Sequence, residues 1–186
     1  MRIIIAADIF GKTDALGDLA ASLPFATEVI SPYTDSELKF HDEQEGYDYF
    51  SEYVGIETYA NRLLKHILES SEPVMLIGFS VGAAAVWYLA GHNNLNNVIS
   101  GIGFYGSQIR HAREVEPSFP IHLVFPESEE HFCVNTLIKD VSKYQTVSVE
   151  RSAYLHGFMN RRSANFNAEA YEIYLQKLKQ KINEMC

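Results

Sequence analysis

The chain has 186 residues, of which 47% are hydrophobic and 21% are charged, a balance typical of one globular domain that spans residues 1–186. Its formal net charge of −9 would repel phosphate backbones and anionic lipid, which argues against a nucleic-acid or membrane-surface partner. The apolar run after Arg2 is too short for a signal sequence or a membrane span, and neither Cys133 nor Cys186 suggests a disulfide, so we expect a cytoplasmic protein.

Short apolar runs alternate with helical patterns along the chain. The runs are continuous and rich in β-branched residues, which is typical of strands buried on both faces of a parallel sheet. In chain order, strands are predicted at residues 3–7, 27–30, 73–77, 98–104, 121–125 and 146–149. Helices are predicted at residues 13–22, 57–69, 83–90, 134–142 and 168–182. This order predicts an α/β fold with a mostly parallel sheet and helices on both of its faces.

Residues 33–52 break this pattern. They hold seven acidic residues and one lysine, interleaved with aromatic side chains. A solvated surface loop is the simpler interpretation of such a segment. A long loop at the carboxyl end of a strand can also cover a site, so a lid is the alternative interpretation.

The segment Gly78-Phe79-Ser80-Val81-Gly82 joins a predicted buried strand to a predicted helix of small residues. In this context a G-x-S-x-G pattern is typical of the nucleophile elbow of α/β-hydrolases, a sharp turn that raises the serine hydroxyl above the sheet edge. Glycines on both sides allow the strand and the helix to approach each other. Ser80 is therefore the predicted nucleophile; the alternative is a glycine-rich turn that binds an anion at a helix N-terminus.

His156 is the predicted general base for Ser80. A serine hydroxyl needs a base to take its proton, and in α/β-hydrolases the acid and then the histidine follow the serine along the chain. Of the seven histidines, His156 lies in the loop between the last predicted strand and the last predicted helix. That loop is expected to place the imidazole above the sheet edge, beside the elbow.

The acid of the triad is expected in the loop after the strand at residues 121–125, where Glu127, Glu129 and Glu130 compete. A carboxylate there would hold the tautomer of the imidazole and stabilise its protonated form. Glu127 lies closest to the end of the strand. We favour Glu130 and then Glu129, and for each of the three an acidic surface turn is the alternative.

The backbone N–H groups of Ile9 and Val81 are the predicted oxyanion donors. Val81 follows the nucleophile at the start of a helix, and the second donor normally comes from the loop after an early strand. Here that loop is Asp8-Ile9-Phe10-Gly11, so Asp8 is expected to lie over the site.

Four segments, in order along nearly the whole chain, resemble the dienelactone hydrolase family of α/β-hydrolases. They are Ala7-Asp8-Ile9-Phe10-Gly11, Gly78-Phe79-Ser80-Val81-Gly82-Ala83, Gly103-Phe104-Tyr105-Gly106 and His156-Gly157-Phe158-Met159-Asn160. The resemblance implies an α/β-hydrolase fold, a role near the nucleophile for Asp8, and substrate contacts by Asp8, Phe10 and Tyr105.

The catalytic residues depart from the family pattern in two ways. The type enzymes carry cysteine at the elbow, where this chain has Ser80. The family's acid is usually aspartate, often before a His-Phe pair, and Glu130 stands in that position here. The loop is one residue longer than in the family, so Glu129 matches the family's acid by its distance from the strand.

The chain also differs outside the triad. It starts at the strand before Asp8, so the fold is expected to be shortened at its N-terminus relative to the family. Dienelactone hydrolases bind the substrate carboxylate with arginines; here Arg161 is near the matching segment but out of register.

Together these features predict a serine hydrolase that cleaves a small carboxylic ester, lactone or thioester through an acyl-Ser80 intermediate, with no cofactor. The alternative is a non-catalytic α/β-hydrolase-like protein that binds a small molecule. A nucleotide-binding domain is disfavoured because no G-x-G-x-x-G or P-loop follows a strand, and a metal is not expected because no histidine pair has ligand spacing on a helix. A homodimer is compatible with the sequence.

Overall fold

The computed structural model describes residues 1–35 and 38–184, and the expectation that Cys186 forms no disulfide lies outside this range. The strands are β1 (Arg2–Ala6), β2 (Thr27–Ile30), β3 (Val74–Phe79), β4 (Val98–Phe104), β5 (Ile121–Phe125) and β6 (Val147–Arg151). They form one sheet in the order β2-β1-β3-β4-β5-β6, and every neighbouring pair is parallel. The carboxyl ends of the strands therefore meet at one edge of the sheet, where α/β proteins place their sites.

Helices cover both faces of this sheet. In the described part of the chain they are α1 (Asp14–Ala21), α2 (Glu43–Tyr53), α3 (Gly55–Leu68), α4 (Val81–Ala90), α5 (Val134–Val141) and α6 (Ala168–Glu184). A 3₁₀ turn, Ser107–His111, follows β4. Helices α3, α4 and α5 pack on one face and α1 and α6 on the other, which confirms the predicted α/β-hydrolase architecture. None of the described helices combines the length and the apolar composition that a membrane span needs.

The continuous apolar runs are explained by this two-sided burial. In β1, Ile3 and Ile5 pack with α1 and α6, whereas Ile4 between them packs with α3 and α4. All three side chains are fully buried. Because each buried isoleucine stabilises the fold by about 1.5–3 kcal/mol, a strand covered on both faces has no place for the polar residues that would alternate in a half-exposed strand.

The interpretation of residues 33–52 as a loop is wrong for the second half of the segment, which forms α2. Asp42 caps this helix, because its side chain accepts a hydrogen bond from the Glu45 N–H at 2.9 Å. Gly46 and Phe50 are its buried residues. Tyr49 packs partly buried beside them, but the remaining positions are exposed and four of them are acidic, so the apolar stripe is narrower than the one by which a surface helix is usually recognised in a sequence.

Candidate active site

The turn between β3 and α4 holds Ser80 in a backbone conformation that few residues other than glycine adopt. Its φ is 52° and its ψ is −114°. The conformation is held from both sides, since the Ser80 N–H donates to the Phe104 carbonyl at 3.0 Å and its own carbonyl accepts from the Ala84 N–H at 3.1 Å. Strained residues of this kind persist only where the surrounding structure fixes them, and they concentrate at functional sites.

Glycines flank Ser80 because the strand and the helix touch there. A Cβ atom at Gly78 would lie 2.5 Å from the Cα of Ala83, and one at Gly82 would lie 2.6 Å from the carbonyl oxygen of Ala7. Both contacts are with backbone, which cannot move aside as a side chain would. The two glycines are therefore required by the close approach of β3, α4 and β1.

The structure brings the predicted nucleophile and base together. The Ser80 Oγ lies 3.0 Å from the His156 Nε2, although the two residues are 76 positions apart in the chain. The loop that carries His156 is fixed by Asn165, whose Nδ2 donates to the His156 carbonyl at 3.0 Å. The ring of Tyr105 packs against the imidazole with its centroid 5.0 Å away.

Glu129 is the carboxylate that reaches the histidine. Its Oε1 lies 2.8 Å from the His156 Nδ1, and the side chain is 15% exposed. Burial opposes ionisation of this carboxyl group, but hydrogen bonds from His156 and Ser107 and the nearby charge of Arg110 outweigh it and lower the pKa of Glu129. Glu129 is therefore ionised at neutral pH and can stabilise an imidazolium.

The preference for Glu130 as the acid is wrong. Glu130 is exposed, and so is Glu127, whose backbone N–H donates to the Tyr154 carbonyl at 2.8 Å. Outside a helix, consecutive side chains point in different directions, so only one of two adjacent glutamates can face the imidazole. The loop length, which matched Glu129 by its distance from the strand, was the better signal.

The two residues predicted to supply the oxyanion donors also line the cleft. Val81 is the first residue of α4, and the Ile9 peptide is held by Tyr33, whose hydroxyl donates to the Ile9 carbonyl at 2.7 Å. Phe10 N–H donates to the Asp8 carboxylate at 2.9 Å, which closes the turn after β1. Both Ile9 and Val81 border the cleft, where a helix N-terminus favours negative charge.

Ser80 opens into a cleft of about 400 Å³, a size suited to a small ligand. Phe10 and Tyr105, expected to contact the substrate, both line it. Burial and the carboxylate of Asp8 raise the pKa of the Tyr105 phenol, so it stays neutral. Helix α2 forms part of the wall, and the Tyr47 hydroxyl of that helix accepts a hydrogen bond from Gln108 across the rim. Part of the 33–52 segment therefore borders the cleft, and its role as a lid stays a prediction.

Several cleft residues had no signal in the sequence. Arg110 lines the cleft, whereas Arg161 stacks on the Tyr171 ring 5.5 Å away and does not line it. Ser107 and Asn160 also line the cleft; Ser107 follows one of the segments that resemble the family and Asn160 ends another, but nothing in their spacing marks a role.

Among the described residues, no group of three or more histidine, cysteine, aspartate or glutamate side chains is arranged to hold a metal ion.

Asp8 lies in the cleft as expected and is half-buried there. The Asn160 Nδ2 donates to its Oδ2 at 2.8 Å. Burial is the main cause that raises the pKa of Asp8, from 3.8 to about 6; the Phe10 N–H and the nearby His156 oppose the shift.

This pKa predicts a pH-dependent loss of stability. The unfolded chain releases the Asp8 proton near its ordinary pKa of 3.8 and the folded protein only near 6, so the contribution of Asp8 is full at low pH and falls as the pH rises through about 6. Between pH 5 and pH 7 the wild type should lose about 1 kcal/mol through this group, and Asp8→Asn, which cannot ionise, should be spared that loss. Urea unfolding at the two pH values measures the difference, and an identical pH dependence of both proteins would contradict the shifted pKa.

Comparison with known proteins identifies the family to which the chain belongs. A sequence profile of the Dienelactone hydrolase family matches residues 3–186. The chain belongs to this family. The hydrolase is 27% identical over 173 residues to YczH, an uncharacterised protein of Bacillus subtilis (strain 168), a match that covers 89% of this chain and 84% of that one.

Solved structures share the fold of the hydrolase at low sequence identity. A protein of Klebsiella pneumoniae subsp. pneumoniae, proposed to be a dienelactone hydrolase, superposes with a TM-score of 0.78 at 15% identity, covering 95% of this chain and 84% of that one. A dienelactone hydrolase-like promiscuous phosphotriesterase from metagenomic libraries superposes with a TM-score of 0.73 at 14% identity, covering 99% and 86%.

Proposed function

We propose that this protein is a serine hydrolase that cleaves a small carboxylic ester, lactone or thioester through an acyl-Ser80 intermediate. One observation carries the proposal: Ser80 Oγ, both ring nitrogens of His156 and Glu129 Oε1 form a continuous chain with separations of 3.0 and 2.8 Å. With the Nδ1 proton held by Glu129, the lone pair of Nε2 faces the serine hydroxyl. That is the arrangement in which a neutral imidazole can remove a serine proton.

Acylation of the enzyme follows from this geometry. As Ser80 Oγ bonds to the substrate carbonyl carbon, its proton passes to His156 Nε2, and the carbonyl oxygen becomes an oxyanion. The N–H groups of Ile9 and Val81 are the proposed donors that bind this oxyanion. When the tetrahedral intermediate collapses, the bond to the leaving oxygen or sulfur breaks and His156 returns the proton to that atom.

Deacylation repeats these steps with water. His156 takes a proton from a water molecule as the water oxygen bonds to the acyl carbon. When this second tetrahedral intermediate collapses, the bond from the acyl carbon to Ser80 Oγ breaks, His156 returns the proton to Oγ, and the acid product leaves. Glu129 stays ionised throughout. The small cleft and the wall formed by α2 favour compact acyl and alcohol groups over long chains.

A fluorophosphonate probe tests the proposal, because it phosphonylates only a serine activated by a base. We expect one labelled peptide, containing Ser80, in the folded protein and none after heat denaturation. The Ser80→Ala protein serves as the negative control. Complete absence of labelling between pH 6 and pH 9 would overturn the proposal and favour the non-catalytic binding protein.

A further inference from the structure

Ser107, the first residue of the 3₁₀ turn after β4, contacts both partners of the proposed acid–base pair. Its Oγ lies 3.0 Å from His156 Nδ1 and donates a hydrogen bond to Glu129 Oε1. Since Glu129 Oε1 is itself 2.8 Å from Nδ1, the hydroxyl, the carboxylate and the ring nitrogen form a closed triangle.

The hydroxyl is held firmly in this place. Ser107 N–H donates to the Tyr105 carbonyl at 2.9 Å, and Arg110 Nη1 donates to the Ser107 carbonyl at 2.8 Å. These two bonds fix the backbone of Ser107 beside the cleft. The contacts of its hydroxyl with Glu129 and His156 give the side chain a defined direction.

The Glu129 carboxylate needs a second hydrogen-bond donor more than an aspartate would. A glutamate has one more rotatable bond than an aspartate, so more of its conformations point away from the imidazole. In the part of the chain that the structure describes, the hydrogen bonds to the Glu129 carboxylate come from Ser107 and His156. Without Ser107, His156 would be the remaining partner of the Glu129 carboxylate among the described residues, although the role proposed for Glu129 is to orient His156.

We propose that Ser107 is a positioning residue that locks the Glu129 carboxylate against His156, an inference that rests on the proposed serine hydrolase function. The hydroxyl donates to the carboxylate in every state of the reaction. When His156 becomes an imidazolium, the Nδ1–H has the carboxylate and the hydroxyl oxygen as its two acceptors. Ser107 therefore acts on the rate of proton transfer and not on substrate binding.

A double-mutant cycle tests this role, with p-nitrophenyl acetate as the substrate. Ser107→Ala should lower kcat about 10- to 100-fold, the loss expected for one hydrogen bond to a charged group, and should leave KM within about twofold of the wild type. Glu129→Gln should lower kcat at least as much. Adding Ser107→Ala to Glu129→Gln should change kcat by less than about threefold, because the charge to be positioned is already gone.

Two matched controls separate positioning from general damage. Ser118→Ala removes a serine hydroxyl that does not line the cleft and that donates to the His92 carbonyl at 2.9 Å. Glu130→Gln removes the exposed charge next to Glu129. Both should keep wild-type kinetics, and the thermal midpoints of all variants report on folding.

The outcomes distinguish the two proposals. A wild type that turns over the ester while Ser107→Ala matches its kcat would overturn the positioning role alone. Losses that multiply in the double variant would do the same, since they would show that Ser107 acts independently of Glu129. A wild type with neither turnover nor fluorophosphonate labelling would overturn both the serine hydrolase and the positioning role.

Discussion

Ser80→Ala should lower kcat for p-nitrophenyl acetate by about 10⁴- to 10⁶-fold, because it removes the atom that forms the acyl bond. His156→Ala should cause a loss of similar size, since without a base the serine hydroxyl is a poor nucleophile. The two residues act as a unit, joined at 3.0 Å, so the double variant should be no slower than either single variant. Steady-state kinetics on the three proteins measures this non-additivity.

The same variants should fold normally. Ser80 contributes one side-chain hydrogen bond to the described structure, the bond to His156, and its backbone is held by bonds that alanine retains. We expect a thermal midpoint within a few degrees of the wild type. A Ser80→Ala protein that hydrolyses the ester at the wild-type rate would show that the chemistry takes place elsewhere.

The fold could be predicted because its strands carry a strong signal. Runs such as Val74–Phe79 are buried at every position, and a short β-branched or apolar run of this kind that ends at a glycine-containing turn is typical of a strand inside a covered parallel sheet. Helix α2 escaped prediction for the opposite reason. It is stabilised by its Asp42 cap and by the burial of Gly46 and Phe50 against neighbouring residues, which form a narrow face among exposed acidic residues that is hard to recognise in isolation.

The site was predictable to the extent that the topology fixes it. Ser80 follows a strand and His156 follows the last strand, so both side chains must arrive at the carboxyl edge of the sheet. The choice between Glu129 and Glu130 depends on the direction of one side chain in a loop, which no pattern encodes. The turn that carries Ser107 is held by local bonds, but its hydroxyl contacts Glu129 and His156, which lie 22 and 49 positions further along the chain and which no local pattern connects to it.

Gly82→Ala should destabilise the protein by more than about 4 kcal/mol or prevent it from folding. The added Cβ would overlap the carbonyl oxygens of both Ala6 and Ala7, where the start of α4 touches the end of β1. Relief requires α4 to move away from the sheet, and α4 carries Val81 and is continuous with Ser80. Any folded Gly82→Ala protein should therefore also have lost fluorophosphonate labelling. Urea unfolding measures the stability.

Gly17→Ala provides the matched control for this substitution. Gly17 lies in α1, and a Cβ there would have no atom within 4 Å apart from its chain neighbours and the backbone of its own helix. Alanine is favoured over glycine in a helix interior, so this variant should be about 0.5–1 kcal/mol more stable than the wild type. Both substitutions replace glycine by alanine, so the difference between their changes in the free energy of unfolding isolates the effect of the backbone contact at the elbow. If Gly82→Ala were as stable as Gly17→Ala, β1 and α4 could not be in the close contact that the structure shows, and the oxyanion site proposed at the Ile9 and Val81 N–H groups would lose its structural basis.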